Sequence, residues 1–332
     1  MKRPQRDTLS RRAMKLLCRL TGLVLAVMLT GTLAVEAVLA PVNQVEPGAE
    51  AAVSTLSVLS PVNLGLSPTG TRQDTIGGPG SGILNILLVG HDRREGEDAS
   101  RSDSMILCTF NKQTKQLILT SFLRDLYVEI PGYHANRINA AYAYGGIELL
   151  RQTLSHNFGL HIDGTVEVDF SQFAGIIDLL GGVEIELRAD EAREINQVIG
   201  SSLSEGLQRL TGQQALTYSR IRNLDGDGDF SRTGRQRRVL SALMNRYRSI
   251  TLKELVPLAA RLLPLITTDM NNGQILIFAM EVLPYLSQAE LVSQHVPAEG
   301  TFSYRRIDEM SVIQADPAAV RKLLKDTLMK TD

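Results

Sequence analysis

Two aspartates lie where a phosphate-bound metal ion could be held. Asp92 follows Gly90 at the end of an apolar run that is typical of a strand, and Asp103 opens the next such run. Strand ends that converge on a crevice are where open α/β sheets bind ligands. Two carboxylates brought together there would repel each other unless a cation lay between them, and Mg²⁺ is commonly held by few carboxylates plus substrate phosphates. The spacing therefore predicts a Mg²⁺ site at Asp92 and Asp103.

A second group of charged residues fits an anionic ligand. The stretch SRIRNLDGDGDFSRTGRQRR contains six arginines and three aspartates. Guanidinium groups bind phosphate oxygens bidentately, and the free N–H groups of a helix start add to an anion site. Arg220 and Arg222 alternate after one predicted helix, and the next helix is expected to present Arg232, Arg235 and Gln236 on one face. The pattern predicts a clamp for a pyrophosphate.

Further arginines are expected at the same edge of the sheet. Arg101 precedes the second aspartate by two residues. Arg124 and Asp125 end a predicted strand, and Arg137 opens a helix whose small residues allow a ligand to approach closely. Together with the first two groups, this third segment strengthens the prediction of an anion site.

The acidic part of this stretch allows two other interpretations: a calcium-binding loop and a solvated face of a surface helix. Asp225, Asp227 and Asp229 match positions 1, 3 and 5 of an EF-hand loop. However, Phe230 stands where glycine is required and Gln236 stands where a bidentate glutamate belongs. We therefore expect the first two aspartates to be solvated acids that moderate the positive potential. The third is expected to orient the arginines or to cap the following helix.

The hydrophobic pattern predicts the elements that position these side chains. Short β-branched runs between turn signals predict strands at ILNILLVG, SMILCTF, QLILTSF, TVEVDF and VEIEL. Longer patterns predict helices at INAAYAYGGIELLRQTLSHNFG, SQFAGIIDLLGG, TGQQALTYSR, RTGRQRRVLSALMNRY, LKELVPLAARLL and NGQILIFAMEVLPYL. This mixture predicts an α/β domain of about 250 residues, a layered α-β-α sandwich with a central mixed sheet.

The N-terminal region has a different composition. Residues 1–19 carry seven basic residues and one acid, and the apolar stretch 20–40 follows. Length and charge bias predict an uncleaved transmembrane signal-anchor with its N-terminus in the cytoplasm, and Pro41 makes cleavage just before it unfavourable. Residues 41–82, rich in Pro, Gly, Ser and Thr, are expected to form a flexible linker. Residues 83–332 are then an extracytoplasmic domain of a single-pass cell-membrane protein.

Charge and cysteine content argue against two classes of interaction. The formal net charge is −1, so the chain lacks the basic field on which sequence-independent DNA binding depends. Cys18 and Cys108 lie in an apolar run and in a predicted strand, outside any metal-binding spacing. We therefore expect neither a nucleic-acid partner nor a structural disulfide.

Six motifs occur in order along the chain: ILNILLVGHD, RSDSMIL, LRDLYVEIPGY, RINAAYAYGG, VEVDFSQFAGIIDLLGGVEIEL and LTGQQALTYSRIR…DFSRTGRQ. Over residues 83–249 they resemble the LytR-CpsA-Psr family of cell-envelope proteins. The resemblance implies an extracytoplasmic α/β sandwich on one transmembrane helix. It also implies transfer of a glycan from a polyprenyl-pyrophosphate carrier to a wall acceptor, typically peptidoglycan.

The resemblance also implies roles for individual residues. Asp92 and Asp103 would hold Mg²⁺ against the pyrophosphate and, with Arg124 and Arg220, form the catalytic group. The residues implied to contact or arrange the phosphates are Arg101, Arg124, Arg137, Arg220, Arg222, Arg232, Arg235 and Gln236. Two positions depart from the family pattern, since Leu123 stands where a proline is usual and Arg137 where a lysine is common. Neither departure removes a charge.

The expected reaction is attack by an acceptor hydroxyl on the phosphorus attached to the glycan, with release of polyprenyl phosphate. The lipid tail needs an apolar tunnel, whose candidate walls are FAGIIDLL and the helices near residues 239–280. Alternative functions are a polyprenyl-pyrophosphate hydrolase and a lipid-carrier binding protein without catalysis. A transcriptional regulator is disfavoured, because the nineteen residues before the predicted anchor contain no DNA-reading element.

Overall fold

Apolar runs rich in leucine and β-branched residues form the strands of a mixed central sheet. The computed structural model describes residues 43–44, 75–91, 102–226, 228–248 and 250–331. The strands are β1 (Asn43–Gln44), β2 (Ile83–His91), β3 (Ser102–Asn111), β4 (Gln116–Phe122), β5 (Tyr127–Val128), β6 (Asn136–Arg137), β7 (Gly164–Asp169), β8 (Val183–Leu187), β9 (Gly206–Leu210), β10 (Thr267–Thr268), β11 (Glu290–Val296), β12 (Phe302–Ile307) and β13 (Met310–Ala315).

The helices alternate with these strands along the chain. They are α1 (Ile138–Phe158), α2 (Phe170–Leu179), α3 (Ala189–Ile199), α4 (Gly212–Arg220), α5 (Asp229–Arg246), α6 (Leu252–Leu262), α7 (Asn272–Leu286) and α8 (Pro317–Leu328). A 3₁₀ turn at Leu263–Leu265 follows α6.

Seven strands form the central sheet in the order β1, β10, β7, β2, β3, β4, β11. Strands β2 and β7 run parallel, as do β4 and β11, whereas β3 is antiparallel to both of its neighbours. Within the described residues, three two-stranded antiparallel sheets lie outside this sheet and pair β5 with β6, β8 with β9, and β12 with β13. The sheet is therefore mixed, as predicted.

Alternating side chains of the central strands face two different layers of helices. On β3, Met105 and Leu107 belong to one buried core, which also contains residues of α1 and α8. Cys108, on the opposite face of the same strand, packs with Phe110, Met244 of α5 and Leu286 of α7. This period-two alternation places helices on both faces of the sheet and confirms the layered α/β architecture.

A third core joins the β8–β9 strand pair to the helices around it. Ile185 of β8, Ile195 of α3 and Tyr218 of α4 are buried together there. The start of helix α4 packs closely against the middle of α2, because a Cβ atom added at Gly212 would lie 2.0 Å from the backbone oxygen of Ala174. This contact sets the distance between the two helices that carry Phe170 and Arg220.

The predicted strands and helices are present, with two differences. VEIEL forms β8 but pairs antiparallel with β9, across the intervening helix α3, instead of joining the central sheet. The packed domain also begins before Ile83, since Ile76 is fully buried and donates its backbone N–H to Gly159 O at 2.8 Å. Residues 41–82 are therefore not a linker throughout, because Asn43–Gln44 also pairs with β10.

The predicted signal-anchor at residues 20–40 lies outside the described residues. Within the part of the chain that the structure describes, no helix combines the length and apolarity needed to cross a membrane.

Candidate functional site

Asp103 and Arg124 form the centre of a charged cluster at the end of the sheet. Asp103 lies near the start of β3, and Arg124 follows β4 by two residues. Arg124 Nη1 donates to Asp103 Oδ1 at 2.8 Å. Although burial alone lowers it, the pKa of Arg124 is raised above its ordinary value by the carboxylates of Asp229, Asp125 and Asp103. The predicted site residues Asp103 and Arg124 are thus brought together at this edge of the sheet in an ion pair that the sequence did not predict.

The first turn of α5 adds a buried arginine and a second carboxylate. Arg232 is only 2 % exposed, and its Nη2 lies 2.6 Å from Asp229 Oδ1 and 3.1 Å from the backbone oxygen of Asp103. Burial lowers the pKa of Arg232 to about 10, and the neighbouring positive charges of Arg222 and Arg124 act in the same direction. Asp229 also lies 3.5 Å from Arg124 Nε, so it orients arginines as predicted. The residue before it, Gly228, is the N-cap, and no side chain caps this helix.

The cluster contains more positive than negative charge. Arg222 Nη2 and Arg232 Nη1 each lie 3.9 Å from Asp103 Oδ1, and Arg124 Nε lies 3.8 Å from Asp125 Oδ2. With Arg137, which also pairs with Asp125, four guanidinium groups surround three carboxylates, those of Asp103, Asp125 and Asp229. The buried Nε atoms of Arg124 and Arg232 donate no hydrogen bond to any described residue. Buried donors without partners are unfavourable. The cluster can therefore accept an anion that supplies both charge and hydrogen-bond acceptors.

An apolar cavity of about 260 Å³ opens beside this cluster, between the sheet and helices α2, α4 and α5. Its walls include Ile106, Val166, Ile176, Leu240 and Leu243, with Ile266 beyond the last turn of α6. The segments FAGIIDLL and 239–280 were predicted as tunnel walls, and both contribute lining residues. A cavity of this composition suits a hydrocarbon chain.

The mouth of the cavity is built by polar residues of the same elements as the cluster. Ser104, next to Asp103 on β3, donates to Gln236 Oε1 at 3.0 Å. Gln236 lies one turn after Arg232 on α5, and both Gln236 and Ser104 line the cavity. The arginine cluster and the apolar cavity therefore meet at this hydrogen bond.

Arg220 lies at the same mouth and stacks on an aromatic ring. Its guanidinium carbon is 4.1 Å from the ring centroid of Phe170, and Phe170 lines the cavity. Asp169 fixes the start of α2 and hence Phe170, because its Oδ1 accepts from Gln172 N at 2.7 Å and its backbone N–H donates to Gln172 Oε1 at 3.0 Å. Arg220, at the end of α4, thus contacts Phe170, whereas Arg222 approaches Asp103.

Arg137 connects the cluster to the β12–β13 hairpin. Its Nε lies 3.3 Å from Asp125 Oδ1, and its Nη2 donates to the backbone oxygen of Ser311 at 2.6 Å. Ile313 also donates its backbone N–H to Asp125 O at 2.8 Å. Arg137 therefore holds the hairpin next to the cluster, which fits the arranging role that the resemblance implied, and a direct contact to phosphate stays a prediction.

Arg235 lies away from the cluster, although it was expected on the same helical face as Arg232 and Gln236. It is fully buried, donates from Nε to Glu191 Oε1 at 2.9 Å and forms a second ion pair with Asp225. Asp225 also pairs with Arg188, and hydrogen bonds from Arg188 and Arg235 lower its pKa to about 2. The expectation of a solvated Asp225 is therefore wrong, since this carboxylate compensates a buried arginine. Asp227 lies outside the described residues.

Replacing Glu191 by glutamine should destabilise the fold by about 3 kcal/mol, because it leaves the buried Arg235 guanidinium without full compensation. Glu191 and Arg235 are both 0 % exposed. Urea unfolding monitored by circular dichroism measures the change. Glu184→Gln is the matched control, because Glu184 pairs with Arg209 on the exposed face of the β8–β9 strand pair. This substitution should leave the free energy of unfolding unchanged. Equal stability of the two variants would contradict a structural role for the buried pair.

Asp92 and Arg101 lie outside the described residues, so their placement stays a prediction. Among the side chains that are described, no three His, Cys, Asp or Glu residues come together as a potential metal site. Of the two predicted metal ligands, the structure therefore locates only Asp103.

Sequence reasoning missed three contributors to the site. Phe170 supports Arg220, Ser104 bonds to Gln236, and Glu191 keeps Arg235 away from the cluster. The D-F-S-Q sequence at 169–172 is a capping box, a signal that could have placed Phe170 at a helix start. Nothing in the sequence pairs Glu191 with Arg235, because the partners are 44 positions apart.

The fold and the site define an α/β protein that combines an arginine-rich anion site with an apolar cavity. The family model described as the LytR_cpsA_psr family matches residues 69–327. The chain belongs to this family, which confirms the resemblance seen in its motifs and extends it beyond residue 249. In the usual proline position, Leu123 donates its backbone N–H to Val296 O at 3.0 Å, a bond that proline cannot make.

Curated relatives match the chain over about half of their length. The Regulatory protein MsrR of Staphylococcus aureus (strain COL) is 40 % identical over 164 residues, which is 49 % of this chain and 48 % of that protein. The polyisoprenyl-teichoic acid–peptidoglycan teichoic acid transferase TagT of Bacillus subtilis (strain 168) is 35 % identical over 182 residues, 52 % of this chain and 55 % of that protein.

Solved structures match a larger share of the fold. The crystal structure of B. subtilis TagT has a TM-score of 0.61 at 26 % identity, over 76 % of this chain and 93 % of that chain. TagT with bound octaprenyl pyrophosphate lipid has a TM-score of 0.59 at 25 % identity, over 77 % of this chain and 95 % of that chain.

Proposed function

We propose that the chain is a phosphotransferase that moves a glycan from a polyprenyl-pyrophosphate carrier to a cell-wall acceptor such as peptidoglycan. The observation that carries this proposal is the junction of the apolar cavity with the arginine cluster at Ser104 and Gln236. A ligand with a hydrocarbon tail and a multiply charged anionic head is complementary to both parts. The octaprenyl pyrophosphate bound to TagT and the transferase name of TagT support the same conclusion.

In the proposed reaction, an acceptor hydroxyl releases its proton to solvent and its oxygen bonds to the phosphorus nearer the glycan. The bond from that phosphorus to the bridging oxygen breaks, and polyprenyl phosphate leaves with the electron pair. Negative charge increases on the bridging and equatorial oxygens as this bond breaks. Arg124, Arg222 and Arg232 provide preorganised positive charge beside these oxygens, and Arg220 provides it at the cavity mouth. The product is a phosphodiester between the glycan and the wall.

The described residues suit a magnesium ion in one respect. All arginine side-chain contacts to the Asp103 carboxylate use Oδ1, so Oδ2 has no ion-pair partner among the described residues. In phosphate sites, Mg²⁺ takes one or two carboxylates together with phosphate oxygens. We propose Asp103 as one ligand and Asp92 as the second. When bound, the ion would add positive charge next to the phosphates.

The position of the sheet edge supports a membrane-bound donor. Strand β1 begins three residues after the end of the apolar stretch 20–40, and it pairs with Thr267–Thr268. Ile266, directly before that strand, lines the cavity. A chain anchored through residues 20–40 would therefore hold this wall of the cavity close to the bilayer that contains the lipid. We propose a single-pass cell-membrane protein with an extracytoplasmic catalytic domain.

Replacing Arg220 by lysine should weaken binding of octaprenyl pyrophosphate by about 1–3 kcal/mol, because lysine keeps the charge but loses the planar fork and its stacking on Phe170. Isothermal titration of the full chain in detergent micelles measures the affinity. Arg209→Lys is the matched control on an exposed ion pair and should bind like wild type. If Arg220→Lys binds octaprenyl pyrophosphate with wild-type affinity, Arg220 contributes only its positive charge and not a specific guanidinium geometry.

A further inference from the structure

A second cleft, of about 400 Å³, lies on the other side of the first turn of α5. Three aromatic rings form a continuous wall in it: Phe230 stacks on Phe302 at 5.1 Å between centroids, and Phe302 meets Tyr304 edge-on at 5.5 Å. Tyr304 is 64 % exposed. The polar residues that complete the lining are Ser231, Arg238, His295 and Glu299.

This lining combines flat apolar ring faces with hydrogen-bond donors and hydrogen-bond acceptors. His295 Nδ1 lies 2.8 Å from the carbonyl oxygen of Pro297, which only accepts hydrogen bonds, so Nδ1 carries the proton. In the neutral ring Nε2 is then an acceptor. Arg238 offers donors and Glu299 offers acceptors at the same cleft. A pyranose ring has the matching chemistry, since its C–H face packs on aromatic rings and its hydroxyl rim both donates and accepts.

The cleft is fixed to the charged cluster through two elements. On α5, Phe230 faces the cleft and its neighbour Asp229 contacts Arg232 and Arg124. Strand β12, which carries Phe302 and Tyr304, pairs with β13, and β13 is tied to the cluster through Arg137 and Asp125. The apolar cavity and the aromatic cleft thus lie on different sides of the same arginines.

We propose that this aromatic cleft is a saccharide subsite that binds a pyranose ring of a glycan next to the reacting phosphates. The role of this subsite rests on the proposed function. If the lipid tail of the donor lies in the apolar cavity and its phosphates lie at the arginines, the sugar attached to those phosphates extends to the opposite side, where the aromatic cleft is. The saccharide is either a ring of the wall acceptor or the first ring of the donor, and both have the same chemistry.

The test is equilibrium binding to the full chain in detergent micelles, with wild type, Tyr304→Ala, Tyr304→Phe and Tyr133→Ala. Tyr133 is a control of matched type, since it is 54 % exposed, stacks on Tyr144 and lines no part of the cleft. The probes are an N-acetylglucosamine–N-acetylmuramic acid tetrasaccharide, octaprenyl pyrophosphate, and octaprenyl pyrophosphate carrying one N-acetylglucosamine.

Tyr304→Ala should weaken binding of a saccharide probe about tenfold, whereas Tyr304→Phe and Tyr133→Ala should bind like wild type. A loss confined to the tetrasaccharide assigns the cleft to the acceptor, and a loss confined to the glycosylated lipid assigns it to the donor. Unchanged binding of both saccharide probes, or an equal loss for bare octaprenyl pyrophosphate, would overturn the subsite. If wild type binds the tetrasaccharide through Tyr304 but no lipid pyrophosphate, the proposed function fails and the subsite stands.

Discussion

Asp103→Asn should lower glycan transfer by at least about a hundredfold, in line with the loss of a preorganised electrostatic group. The Asp103 carboxylate holds Arg124 at 2.8 Å and lies 3.9 Å from Arg222 and Arg232, and it is the described candidate for a magnesium ligand. Asparagine keeps the shape but removes the charge that orients these groups. Steady-state transfer from a lipid-linked glycan to peptidoglycan gives the rate.

The effect of this substitution should fall mainly on the turnover rate. In the absence of added Mg²⁺, removing a negative charge beside an anionic ligand leaves donor binding unchanged or slightly tighter, most visibly at low salt. Glu184→Gln removes an ion-paired carboxylate on the β8–β9 strand pair and should transfer at the wild-type rate. Full activity of Asp103→Asn in the presence of Mg²⁺ would exclude the role proposed for this carboxylate.

Val166→Phe should weaken binding of a long polyprenyl pyrophosphate more than about a hundredfold while leaving the fold intact. Val166 lines the cavity from strand β7, so a larger side chain can extend into existing space without displacing packed neighbours. Phenylalanine adds about four carbon atoms, and at about 0.8 kcal/mol per buried CH₂ the exclusion of a tail segment of that size costs about 3 kcal/mol of binding free energy. Isothermal titration with octaprenyl pyrophosphate measures the change.

Two controls separate a blocked cavity from a damaged site. Val166→Ile adds one methylene group and should reduce affinity far less than the phenylalanine variant. Inorganic pyrophosphate, which has no tail, should bind both variants like wild type, because the arginine cluster lies outside the substituted strand position. If the phenylalanine variant binds octaprenyl pyrophosphate normally, the lipid tail lies elsewhere.

The strands and most of the anion site could be predicted from the sequence because their signals are local. Period-two alternation in β3 sends Met105 and Ser104 to opposite faces of the sheet, and charged residues at strand ends must collect at its edge. Arg232 and Gln236, four residues apart on α5, share a face as helical geometry requires, and both reach β3.

The parts that could not be predicted depend on partners distant in sequence. Arg235 is only one position from Gln236, yet it turns to Glu191 on α3, a helix that the apolar pattern did not reveal. Asp225 looked like a solvated loop residue because its ion pairs with Arg188 and Arg235 form only after α3 packs. The aromatic cleft depends on β12, at the end of a chain segment to which the motifs assigned no role.

The central claim is transfer of a phosphorylated glycan, and the fate of one phosphorus atom tests it directly. The donor is a polyprenyl-pyrophosphate glycan labelled with ³²P at the phosphorus nearer the glycan, incubated with the full chain, Mg²⁺ and peptidoglycan. A phosphotransferase places the label in the peptidoglycan and releases unlabelled polyprenyl phosphate, and we expect this result. Label that appears in free glycan phosphate indicates a hydrolase. Label that remains on the intact lipid indicates a binding protein, and either of these outcomes would contradict the proposed function.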